Sequence, residues 1–185
     1  MRWDSLFADL EAQADQLERA ERAGEVEERT RAELVRQTLH ARLRAALGSG
    51  MRVVVAGGLA VSGELRRVGS DWVLLDDGAA ADTEWLVPSV AIQTISGLGR
   101  QAAAEADDVV ESRLDFRHVL RGVARDRAQV RAHLQDGSIL TATLDRIGAD
   151  FVDAAVHPAG EPRRRESVLD VQVIAIAAIV AMRRG

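Results

Sequence analysis

"ELRRVGSDWVLLD", Glu64–Asp76, is the stretch that decides how this chain folds. "ATLDRIGADFVDA", Ala142–Ala154, repeats it: Leu, two residues, an aliphatic residue, Gly, any residue, Asp, an aromatic and Val. Asp71 and Asp150 stand 79 positions apart (150 − 71 = 79), and the same offset pairs Leu65 with Leu144, Gly69 with Gly148 and Trp72 with Phe151. Farther on, an offset of 81 (168 − 87 = 81) pairs Val87 with Val168, Val90 with Val171, Ile92 with Val173 and Ile95 with Ile176. The change of offset predicts two extra residues in the loop "HPAGEPRRRE", His157–Glu166. A period of about 80 residues is long for a solenoid unit and suits a duplicated small domain.

The repeated stretch carries its own geometry. Leu65 lies three residues before Val68, so both can face one side of a strand only across a bend or bulge. Gly69 and Gly148 are expected at turns with positive φ. Asp71 and Asp150 are expected to bond the backbone donors of those turns, and the aromatic residue opens the next strand. This reads as a hairpin corner of the fold ahead of a ligand site.

Around it the texture is Val-rich and short-period. "MRVVVAG", "LAVSGELRRV", "DWVLLD", "ADTEWLV" and "VAIQTISGL" read as five strands between Met51 and Leu98. "GRQAAAEADDVVE", residues 99–111, reads as a linker or frayed helix. "SRLDFRHVLRGVARD" has helical period through Leu114, Val119, Leu120 and Val123. Strand texture resumes at Ala128. Residues from about 2 to 47 look helical, with Trp3, Leu6, Leu10, Ala14 and Leu17 at three- and four-residue steps, then Leu34, Leu39, Leu43 and Leu47. Asp4 suits an N-cap and "GSG" a C-cap. Gly24 marks a break between two helices or a weak point in one, the break being favoured.

The predicted organisation is therefore a helical arm at 1–48, a first small β-barrel at 50–98, a linker and helix at 99–126 and a second barrel at 127–185. The fold class is α+β, with two tandem five-stranded antiparallel barrels. A helix followed by five short strands, with a Gly-x-Asp corner before the third, resembles the SH3-like and Sm-like small barrels. "VRAHLQDGSILTATL" resembles the first half of an Sm motif. RNA-binding Sm proteins carry an Asn near the second hairpin and an Arg-Gly pair near the last. The corners "VGSDWV" and "IGADFV" and the late strands lack them, so the resemblance implies a fold and no binding residue. The opening "MRWDSLFADLEAQ" resembles the start of uncharacterised actinobacterial proteins of similar layout, which brings no function with it.

Composition narrows the function. With 47% hydrophobic and 29% charged residues, the chain reads as globular and soluble. A net charge of −5 argues against coating nucleic acid through bulk charge. The absence of Cys excludes disulfides, thiolate metal sites and Cys nucleophiles. Acidic residues occupy the N-terminal stretch where a signal peptide needs an apolar run, and "VLDVQVIAIAAIVAM" is too short and too polar for a bilayer. The expected location is cytoplasmic, with no membrane partner. His40, His118, His133 and His157 have no metal-ligand spacing, and "GGLAVSG" lacks the ending of a phosphate loop. No catalytic motif, metal or cofactor is expected.

Two Arg clusters remain: Arg163, Arg164 and Arg165 in the longer loop, and Arg183 and Arg184 at the end. Solvated surface is the first reading of them, and a local phosphate-binding patch the second. The expected function is a non-enzymatic protein-interaction or assembly module, with a protein partner or self-association through the N-terminal helices. The alternative is a nucleic-acid-associated regulator using the Arg patch.

Overall fold

The computed structural model describes residues 16, 28, 31–32, 34–78, 84–103, 114–158 and 169–184. The chain divides into a unit ending at Thr38 and a unit from Leu39 to Gly185. In the first unit, residues 16, 28, 31–32 and 34–36 are helical, and Leu34 and Val35 are exposed. The expected cap at Asp4 and break at Gly24 lie outside the described residues.

The second unit is α+β. Its elements are α1 (Leu39–Ala45), β1 (Gly50–Val55), β2 (Ala60–Val68), β3 (Trp72–Asp76), β4 (Glu84–Pro88), β5 (Ile92–Ser96), α2 (Phe116–Asp126), β6 (Gln129–Leu134), β7 (Ile139–Ile147), β8 (Phe151–Val156), β9 (Asp170–Ala175) and β10 (Ile179–Arg184). All ten strands lie in one antiparallel sheet of order β5-β1-β2-β3-β4-β10-β6-β7-β8-β9. That sheet is open, with β5 and β9 at its ends.

The opening stretch behaves as its spacing requires. The β2–β3 register shifts between Leu65 and Arg67, and the β7–β8 register shifts between Leu144 and Arg146. This bulge lets Leu65 and Val68 both point inward, at 0% and 5% exposure. The glycines have a different reason from the one expected. Neither Gly69 nor Gly148 has positive φ. Instead, a Cβ at Gly69 would overlap the indole of Trp72, and one at Gly148 would overlap the ring of Phe151. Each glycine clears space for the aromatic residue three places later, whose carbonyl accepts its N–H at 2.8 Å.

Strand pairing corrects the later offset. Val73 and Val152, 79 apart, face Val87 and Ile174, which are 87 apart (174 − 87 = 87). Arg52 and Arg131, also 79 apart, face Ser96 and Arg183, again 87 apart (183 − 96 = 87). Eight residues, not two, separate the registers. The offset of 81 matched one aliphatic residue to another, which a Val- and Ile-rich sequence permits in several frames.

Two buried clusters lie along the sheet. One gathers Leu43 of α1 with Val53, Val61, Leu65, Val73, Leu75 and Val87. The other gathers Phe116 and Leu120 of α2 with Val130, Leu144, Val152, Ile174 and Ile179. Each fully buried aliphatic side chain contributes about 1.5–3 kcal/mol relative to exposure. The clusters exchange residues: Val180 and Ala181 of β10 join the first, and Trp72 and Leu86 join the second. Leu43 and Ala46, at the end of the expected arm, belong to the first cluster.

Candidate interaction site

The place where the two halves of the sheet meet is short in backbone terms. Among the described residues, β4 and β10 pair through Leu86 with Met182 and Trp85 with Arg183. Side chains extend the junction. The Arg183 guanidinium lies 5.1 Å from the Trp85 ring centroid, and the His133 ring centroid is 5.2 Å from that of Trp85, tilted by 53°. Trp85 is 9% exposed, so the cation sits over a ring largely removed from water, where such a contact is worth most. Burial first, then the positive charges of Arg183 and Arg131, hold the His133 imidazole below its usual pKa.

The repeated corner forms the second part of the junction. Trp72 Nε1 donates to the Leu114 carbonyl at 2.8 Å, and the Ser70 N–H and hydroxyl donate to the same oxygen. Asp71 Oδ1 accepts the Phe116 N–H at 2.6 Å. Asp115, the N-cap of α2, accepts the His118 N–H at 2.7 Å, and this bond leads the causes that lower its pKa. Asp71 Oδ1 also accepts the Ser70 hydroxyl of its own turn at 3.4 Å, but the backbone donor it satisfies lies at the start of α2 and not, as expected, in that turn. Asp150 holds the matching position beside α2, where Arg117 reaches the Ala149 carbonyl. Corresponding backbone bonds run from Ser89 N–H to the Asp71 carbonyl and from Ile176 N–H to the Asp150 carbonyl, at 2.7 and 2.8 Å.

Between α2 and the junction lies a cleft of about 640 Å³. Its floor includes Trp72, Leu86, Val130 and Met182, and its rim carries Arg67, Arg121, Arg125, Arg183 and Arg184, with Glu84 the one carboxylate of the lining among the described residues. Arg184 is paired with Asp126 at 3.1 Å. Of the expected Arg patch, Arg183 and Arg184 meet at this cleft, while Arg163, Arg164 and Arg165 lie outside the described residues. Sequence reading missed Arg121 and Arg125. Their i, i+4 spacing on a helix was the available signal.

The sheet ends form the third feature. Along β9 and its approach, Leu169, Val171 and Val173 are 73%, 61% and 70% exposed. Alternation puts these on one face of a strand that, among the described residues, ends the sheet with no neighbour strand on its outer side.

Two further histidines make structural contacts. Buried His157 meets the Thr143 hydroxyl at 2.9 Å and the Pro158 carbonyl at 3.2 Å. His40 is half-buried against the Ser89 hydroxyl at 3.2 Å, and burial, then Arg44, lowers its pKa. Among the described residues no group of three His, Asp or Glu side chains could hold a metal ion, and no helix is long and apolar enough to cross a membrane. No protein family, curated protein or solved structure matches the chain.

Proposed function

We propose that this chain is a non-enzymatic interaction module built from two SH3-like or Sm-like barrels in tandem, acting through the edges of its sheet. The observation that carries the reading is the exposed row Leu169, Val171 and Val173 on the end strand β9. An apolar edge strand with open hydrogen-bonding groups invites an added strand, which contributes main-chain bonds while side-chain pockets supply specificity. The recurrence of the strand pairings at a constant offset supports the tandem arrangement. The test is association by the wild type and by a Val171→Lys/Val173→Lys variant. Native mass measurement and affinity capture should show bound protein with the wild type and loss of it with the variant. Equal behaviour of the two would refute a role for this edge.

The Arg-rimmed cleft supports a second reading, a nucleic-acid-associated protein gripping phosphate through Arg121 and Arg125. Phosphate contacts weaken steeply with salt, each neutralised phosphate steepening the dependence. Binding of a labelled oligonucleotide at low salt, lost on Arg121→Ala/Arg125→Ala, would favour it. No binding at low salt would dismiss it.

A further inference from the structure

α2 lays two different rows along the cleft. Val119 and Val123, four residues apart, line its apolar side, and Arg121 and Arg125, at the same spacing, stand on its rim. Gly122 lies between the two rows and also lines the cleft. Apart from Pro, no residue suits a helix interior less, and nothing in the fold calls for glycine there. Its φ is not positive, and a Cβ would meet open space, with no atom within 4 Å. The missing side chain leaves the middle of the cleft open.

Floor and rim ask for different chemistry. Of the floor side chains, only Trp72 carries an N–H, and that is already bonded to the Leu114 carbonyl at 2.8 Å. The floor therefore takes apolar groups, and half-buried Leu74, Val119 and Val123 extend it. On the rim, Arg184 is paired with Asp126, and the Arg183 guanidinium lies against Trp85. Glu84 offsets one further charge. Arg121 and Arg125 are exposed, and among the described residues neither has a carboxylate within ion-pair distance. Two unpaired guanidiniums at the mouth of an apolar cleft complement an anionic head on an apolar body.

We infer that this cleft binds a single-chain amphiphile with an anionic head. Its apolar tail lies along Leu74, Val119 and Val123, and its carboxylate or phosphate sits between Arg121 and Arg125. The cleft volume of about 640 Å³ falls inside the span of about 300–1,000 Å³ typical of small-molecule sites. Charge-assisted bonds from the guanidiniums fix the head, and removal of the tail from water supplies the rest of the affinity. A nucleic acid offers the phosphates without the tail, so the apolar floor favours the amphiphile over it. The β9 edge has no part in this site, and an oligonucleotide is its competing occupant.

Calorimetric titration of the full chain compares decanoate and decyl phosphate with decanol and inorganic phosphate, all below micelle-forming concentrations. The anionic amphiphiles are expected to bind saturably, with decanol and inorganic phosphate weaker by about tenfold or more. A preference for decanoate assigns an acyl carboxylate, and a preference for decyl phosphate an alkyl phosphate. Arg121→Gln/Arg125→Gln should weaken the anionic amphiphiles by about tenfold or more and leave decanol unchanged. Gly122→Leu should abolish binding while keeping or raising the unfolding midpoint, because Leu is the better helix former and its side chain enters open space. Failure of both anionic amphiphiles to bind the wild type overturns the inference, as does binding that survives Gly122→Leu or needs neither Arg. An oligonucleotide that binds through Arg121 and Arg125 where the amphiphiles do not also overturns it, and leaves the nucleic-acid reading standing.

Discussion

Arg183 faces Trp85 across the β4–β10 junction, with its guanidinium carbon 5.1 Å from the ring centroid. Two backbone pairs hold these strands together, so side chains must carry most of the stability of the seam. Truncating Trp85 to Ala removes a buried ring from both neighbours and is expected to cost about 3–5 kcal/mol. Arg183→Ala removes the cation and is expected to cost about 1 kcal/mol. Denaturant midpoints of the two variants check the order, and an Arg183→Ala effect equal to that of Trp85→Ala would contradict it.

The two corner glycines make matched predictions. Gly69→Ala and Gly148→Ala each place a methyl where an aromatic ring lies, so each should destabilise by about 1–3 kcal/mol. Adding Trp72→Ala to Gly69→Ala should make the glycine substitution nearly free, because the obstructing ring is gone. Thermal unfolding of the four combinations measures that coupling.

Asp71 and Asp150 occupy matching corners but not matching roles. Asp71→Ala leaves the Phe116 N–H without its acceptor and should cost about 0.5–2 kcal/mol, as lost helix caps do. Asp150→Ala should change stability by less than about 0.5 kcal/mol, in the range of ordinary surface substitutions. Urea melts of the two single variants distinguish them.

His133 and His40 make the fold acid-sensitive in a defined window. Burial lowers both pKa values below 6.5, so the unfolded chain takes up protons before the folded one does. Their contribution is complete above 6.5 and is lost as pH falls from there through the folded values. Asp115, whose pKa is lowered from 3.8, acts in a separate and more acidic range, its contribution being present above 3.8 and lost below it. Unfolding midpoints followed from neutral to mildly acid pH should fall, and His133→Gln should flatten part of that fall.

Deletion maps the role of α1. The unit from Leu39 onward is compact by itself, so removing residues 1–38 should leave one cooperative unfolding transition. Extending the deletion through Leu47 removes Leu43, which is fully buried among Val53, Leu65 and Val73, and should cost about 2–5 kcal/mol or abolish folding. Calorimetry of the two shortened chains tests this.

The recurring stretch Glu64–Asp76 was enough to locate the bulge after Leu65, the corner at Gly69 to Trp72 and the repetition 79 residues on. Local chemistry decides those features: side-chain period, ring size and the absence of a Cβ act within a few residues. The exposed alternation at Leu169, Val171 and Val173 was also present in the sequence, since an apolar row is visible whether or not a neighbour covers it. Which strand lies beside which was decided only in three dimensions. Val- and Ile-rich strands fit several registers equally well, so the offset of 87, the meeting of β4 with β10 and the openness of the sheet emerge only when backbone pairing and burial act together. The same is true of Asp71, whose helix donor is 45 residues away. It is true too of Arg183, which reads as a free terminal charge until the fold sets it over Trp85.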